Sequence, residues 1–172
     1  MPVGVHSAMT PEDLVEIEAI KRLKYKYLRC LDQKRWDELA TCFTGDARAS
    51  YGGGAHRLEG SSSIVAWLRQ VMGAETFLSS HRVHHPEIDL LTATTGAGTW
   101  ALEDTVVLTD VEVTVRGAAF YTDEYVKRDG TWVLQSTEYR RTYEEIQSRV
   151  GVPGLRLTAS WWGTGGRSEL QA

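Results

Sequence analysis

A chain of 172 residues with a formal net charge of −4 and 42% hydrophobic residues has the length of one domain and enough apolar material to bury a core. The acidic balance excludes binding through nucleic-acid phosphates, which needs a basic face. No window approaches the roughly 18 consecutive apolar residues of a membrane helix.

In chain order, "MPVGVHSAM" has neither the cationic start nor the apolar run of a secretory signal. The following segment "TPEDLVEIEAIKRLKYKYLRCLD" reads as a long amphipathic helix. Thr10 is placed to cap it, Pro11 suits the first helical position and Asp13 adds negative charge to the first turn. Leu14, Ile17, Ile20, Leu23, Tyr27, Leu28 and Leu31 form its apolar stripe, and the helix ends near Asp32. The lysines and arginine of "KRLKYK" (Lys21 to Lys26) read as a solvated face. "KRWDELATCF" predicts a short second helix. "GSSSIVAWLRQVMG" predicts a third, capped by one of Ser61 to Ser63 and stopped at Gly73. A short strand, Ala47 to Gly53, falls between them.

After residue 79 the texture changes to runs rich in β-branched and aromatic residues, with an Asp129-Gly130 turn signal between the last two. Three helices followed by such a meander is an α+β layout. The Gly-rich tail carries Trp161 and Trp162, which predicts packing on the domain or on a neighbouring subunit. Cys30 and Cys42 make no disulfide framework and read as free thiols of a cytoplasmic protein. "TTGAGTW" and "WWGTGGR" lack both the phosphate-loop pattern and its strand–loop–helix context, so no nucleotide cofactor is expected.

Histidines 81, 84 and 85 have helical metal-ligand spacing, but Pro86 disfavours helical geometry at His85. On a strand, His81 and His85 share a face and His84 points away, so no metal site is expected. Asp32 sits at the edge of the apolar stripe and at the negative end of the helix dipole; it is either a turn residue or a carboxylate aimed into a pocket. Tyr27 lies in the same stripe and is either core or a phenolic donor. Asp104 alternates with Trp100, Leu102 and Val106 and needs a pocket, a partner or solvent. Arg140 and Arg141 point to opposite faces, so one of them can reach the interior.

The order of a helix ending "YLRCLDQKRWDEL", a strand "ASYGG", then "SSHRVHHPEI", "YTDEYVKRDGTWVL" and "EYRRTY" resembles the SnoaL-like group of the nuclear transport factor 2-like superfamily. It is similar to the bile-acid dehydratases, scytalone dehydratases and hexachlorocyclohexane dehydrochlorinases. The resemblance covers roughly residues 10–145 of a single domain spanning 1–172, with 146–172 as a C-terminal tail. It implies a cone-shaped α+β barrel: a curved antiparallel sheet with three helices closing an apolar pocket.

The resemblance also implies a catalytic dyad of Asp32 and His81, with Tyr27, Asp104 and Arg141 (chosen over Arg140) as further catalytic residues. Trp36, Trp67, Phe77, His85, Trp100 and Tyr121 are expected to line the pocket. An Asp–His pair is a sound general base. The expected activity is a cofactor-independent dehydratase acting on an apolar steroid-like, bile-acid-like or polyketide-like hydroxy carbonyl compound. A ketosteroid-type isomerase, another proton-shuttling enzyme or a non-catalytic binding module are the alternatives. A homo-oligomer, trimer or dimer, is expected from the resemblance and the tail.

Overall fold

The computed structural model describes residues 9–170. Helix α1 spans Pro11–Asp32 and begins with a reciprocal cap: Thr10 Oγ1 accepts from the Asp13 backbone N–H, and Asp13 Oδ2 accepts from the Thr10 N–H. Its buried stripe is Ile20, Leu23, Lys24, Tyr27, Leu28, Cys30 and Leu31. Lys24 corrects the reading of "KRLKYK" as a solvated face, because its side chain is fully buried. It lies four residues after Ile20 and four before Leu28, on the stripe itself.

Helix α2 (Trp36–Ala40) is one short segment. Strand β1 (Phe43–Tyr51) runs into a 3₁₀ turn, Gly52–Gly54, and returns as β2 (His56–Glu59), a strand not foreseen in the sequence. Helix α3 (Ser61–Met72) starts from Gly60 at φ 83° with no side-chain cap, so none of the three serines serves as the cap. Gly73 ends it as expected.

The long strands are β3 (Phe77–Thr92), β4 (Thr95–Leu108), β5 (Val113–Arg128) and β6 (Thr131–Ser148). Asp129 and Gly130 both take positive φ, as the tight turn joining β5 to β6 requires. The six-stranded sheet has the order β2-β1-β6-β5-β4-β3. Its ends do not meet, so it is a curved open cone. The curved sheet is antiparallel through β3–β6, as expected, and is mixed only where β1 runs parallel to β6. Helix α1 packs on β3 and α3 on β1, which places the helices over the concave face.

Cross-strand register defines the concave face. Trp100, Tyr121 and Tyr139 form one row; Leu102, Ala119 and Arg141 the next; His81, Asp104, Gly117 and Glu144 the third. Alternation along β6 would put Arg141 and Glu144 on opposite faces. A bulge at Thr142, between the Ala119–Arg141 and Ala118–Tyr143 pairs, resets it and leaves both on the same side. No helix of the described residues is long and apolar enough to cross a membrane.

Candidate active site

The cone encloses a cavity of about 140 Å³ lined by Tyr27, Tyr51, Trp67, Phe77, His81, Leu102, Asp104, Tyr121, Tyr139 and Arg141, among others. The end of α1 and the start of β3 meet at its wall. Asp32, the last residue of α1, accepts from Ser79 Oγ (2.8 Å), the His81 backbone N–H (2.9 Å) and His81 Nδ1 (2.7 Å). An anion at the negative end of a helix is unfavourable by about 0.3–1 kcal/mol. Each hydrogen bond to a charged group is worth about 1.5–3 kcal/mol. Three donors therefore outweigh the dipole and hold the carboxylate in place. A carboxylate against Nδ1 favours the tautomer that carries its N–H there, the tautomer a general base acting through Nε2 needs.

Asp104, the register partner of His81 on β4, is clamped by the Arg141 guanidinium through two bonds, Nη1 to Oδ1 at 2.5 Å and Nη2 to Oδ2 at 2.8 Å. Arg141 Nε also lies 3.1 Å from Glu144 Oε2. The hydrogen-bonded Asp104 carboxylate holds the guanidinium pKa above its ordinary value. Register selects Arg141 over Arg140, which pairs with Glu138 and is exposed.

The remaining wall is aromatic. The Tyr27 and Tyr51 hydroxyls are 3.1 Å apart. Tyr51 stacks on Trp67 with ring centroids 5.2 Å apart, and Tyr121 meets Tyr139 edge-on at 5.6 Å. Burial pushes the Tyr27, Tyr51 and Tyr121 phenols well above their usual range, so they stay protonated and act as hydrogen-bond donors rather than bases.

Tyr27, Trp67, Phe77, His81, Asp104, Tyr121 and Arg141 thus line one cavity, with Asp32 behind His81. Three expected lining residues lie elsewhere. Trp100 is fully buried at the closed end of the cone, its indole N–H donating to Tyr125 Oη at 2.8 Å. Trp36 packs against the core from α2. His85 is exposed: the bulge between His84 and Glu87 and its φ of 44° break the alternation that would turn it inward. His84 faces Glu103 at 3.8 Å. Among the described residues no group of three His, Cys, Asp or Glu side chains forms a metal-ligand cluster. Cys30 and Cys42 are buried free thiols, and burial pushes Cys42 up to about 12.

Sequence reasoning missed Tyr51, Tyr139 and Ser79. Tyr139 and Ser79 were legible by alternation, two residues before Arg141 and His81 respectively. Also missed was Lys34, whose Nζ donates to Met72 O (2.7 Å) and Phe77 O (2.8 Å), tying the end of α3 and the start of β3 to the chain just past Asp32. The tail packs here too. Trp162 lies 5.3 Å from the Lys34 ammonium, and Leu157, Ser160 and Trp161 face Asp32 and Ser80 across a crevice.

Residues 12–138 match the SnoaL-like domain family. The chain belongs to that family. Solved structures agree with the fold. A candidate scytalone dehydratase from Novosphingobium aromaticivorans is 25% identical, with a TM-score of 0.74 over 94% of this chain and 100% of its own. The hexachlorocyclohexane dehydrochlorinase of Novosphingobium barchaimii is 21% identical, with a TM-score of 0.71 over 84% of this chain and 97% of its own. ActVI-ORFA of Streptomyces coelicolor is 17% identical, with a TM-score of 0.64 over 74% of this chain and 98% of its own. The SnoaL-like domain described here therefore has the cone of the nuclear transport factor 2-like superfamily, and its structural neighbours include lyases.

Proposed function

We propose that this SnoaL-like domain is a cofactor-independent dehydratase acting on a small, ring-bearing β-hydroxy carbonyl compound. The observation that carries the reading is His81 in the wall of an aromatic cavity, its Nδ1 held by Asp32 at 2.7 Å. His81 Nε2 removes the acidic proton next to the substrate carbonyl. The carbonyl oxygen becomes an enolate, to which the Tyr27–Tyr51 hydroxyl pair donates. The enolate collapses, the carbon–oxygen bond to the β-hydroxyl breaks, and the imidazolium returns its proton to the departing oxygen. Water leaves and the dyad is restored. Asp104, with both carboxylate oxygens accepting from Arg141, serves to bind a polar substituent rather than to donate a proton.

Size narrows the substrate. An apolar cavity of about 150 Å³ is filled by one benzene ring, whereas pockets for drug-sized ligands run to about 300–1,000 Å³. At about 140 Å³ the cavity suits a polyketide-like compound with one ring inside better than a steroid or bile acid. A panel of β-hydroxy ketones from one ring to four, followed by mass spectrometry, tests this. The expected result is loss of one water, fastest for the smallest rings and dependent on His81. Double-bond migration without mass change would make it an isomerase, halide release from chlorinated rings a dehydrochlorinase, and binding without turnover a binding module.

A cytoplasmic homo-oligomer, trimer or dimer, completes the proposal. It is supported by the two free thiols and by exposed Phe120, Tyr143 and Trp161. Light scattering at micromolar concentration should give a mass above that of the 19.2 kDa chain, and a monomer would overturn it.

A further inference from the structure

Gly117 sits inside strand β5, buried, in the row that carries His81, Asp104 and Glu144. Its φ is not in the left-handed region, so conformation does not call for glycine. Glycine inside a strand weakens it and marks a close approach of other atoms. What approaches is specific. A Cβ built on Gly117 would stand 2.9 Å from Arg141 Nη1, 3.4 Å from Arg141 Cζ and 2.8 Å from the Tyr143 carbonyl oxygen. Arg141 enters the concave face one row nearer the closed end, beside Ala119. To reach Asp104 on β4 its guanidinium must cross β5, and it crosses over Gly117.

We infer that Gly117 is a positioning residue for the proposed reaction. The missing side chain is the slot in which the Arg141 guanidinium lies, aimed at Asp104 with Glu144 at its Nε. The bulge at Thr142 is the second half of the device, since it turns Arg141 and Glu144 to the same face. An alanine at 117 pushes the guanidinium off Asp104 and leaves the Asp104 carboxylate at the mouth of the cavity without its clamp. The inference rests on the dehydratase reading only for its effect on turnover. The clamp itself is a statement about this chain alone.

The test uses the full chain and phenylglyoxal, which modifies free guanidinium groups, with peptide mass spectrometry to follow Arg141 against exposed Arg140 as internal reference. In the native protein Arg141 is expected to react far more slowly than Arg140. Asp104→Asn, which removes half the clamp, sets the scale, and Gly117→Ala is expected to raise the modification rate of Arg141 about tenfold or more, as loss of a charge-assisted bidentate pair implies. Protection unchanged in Gly117→Ala overturns the inference. A thermal-stability cycle with Arg141→Met keeps it falsifiable if Gly117→Ala folds poorly. The alanine must cost fewer degrees of Tm in the Arg141→Met background. An equal cost, or failure of both to fold, means that the glycine serves only the Tyr143 carbonyl and overturns the inference. If the hydroxy ketone panel yields a substrate, Gly117→Ala should change KM and kcat in the same proportion as Asp104→Asn. If it yields none, the dehydratase reading fails while the modification rates still decide the clamp.

Discussion

Two ion pairs sit on the concave side of the same sheet, and they differ in what surrounds them. At the closed end, Lys24 Nζ lies 2.8 Å from Asp123 Oδ2, and both side chains are 0% exposed. Asp123 also accepts from Tyr125 Oη and Thr137 Oγ1, each at 2.7 Å, and the lysine ammonium rests 3.3 Å from the Tyr121 ring centre. Every neighbour is another fixed group. At the mouth, Asp104 and Arg141 form an equally close pair, but their side chains are 5% and 23% exposed and border empty volume. The same bond chemistry is structural where packing leaves no room for a ligand. It becomes available for recognition where a cavity meets it.

The contrast predicts that mouth variants lose turnover and little stability, while closed-end variants do the reverse. The largest effect belongs to the mouth. His81→Ala should lower kcat/KM on the substrate found by the panel by about 10²–10⁴, the usual worth of a general base, while calorimetry shows Tm lowered by only about the several degrees that one lost bond to Asp32 accounts for. A fall in Tm without a fall in turnover would erase the distinction.

Next comes the closed end. Asp123→Ala or Lys24→Met leaves a buried charge without its partner, which costs about 3–5 kcal/mol. At about 2–4 °C per kcal/mol for a chain of this size, Tm should drop by roughly 10 °C. The joint change Lys24→Met with Asp123→Leu should recover most of it, because burying the pair was itself costly. Arg141→Met, by contrast, should lower Tm by only a few degrees.

The smallest effect per group comes from alkaline pH. Burial raises Tyr27, Tyr51, Tyr121 and Tyr125 above the ordinary phenol value of 10.0. Below pH 10 their contribution is fully present. As pH rises further, the unfolded chain releases phenolic protons that the folded chain keeps, so stability falls by about 1.4 kcal/mol per pH unit for each tyrosine. Burial lowers Lys24, which works the other way up to its ordinary value of 10.5, one group against four. Absorbance at 295 nm should show these four phenols ionising only with unfolding, and ionisation in the folded protein would place them nearer solvent than the cone allows.

Much of the candidate site was legible because it follows periodicity. Asp32 and Tyr27 share an apolar helical stripe, while His81, Asp104 and Arg141 each belong to an alternating strand face. Alternation reports the face and not the depth. Trp100 shares a face with Asp104 yet lies two rows closer to the closed end, where the cone is filled. His85 was misplaced because a bulge is a local break in the very period used to find it. Lys24 was hidden by its type: a lysine among basic neighbours looks solvated, and only Asp123, a hundred residues away, makes its burial tolerable. The parallel pairing of β1 with β6 joins strands distant in sequence and has no local signature.

The Lys34 ammonium has a consequence for what the protein can admit. It holds the last carbonyl of α3, and Val71 and Met72 of that helix help to line the cavity. Swinging α3 outward for a bulkier guest strains bonds rooted two residues beyond the carboxylate that orients His81. On the proposed reading, a guest large enough to push α3 outward would also pull on the segment whose Asp32 carboxylate holds His81.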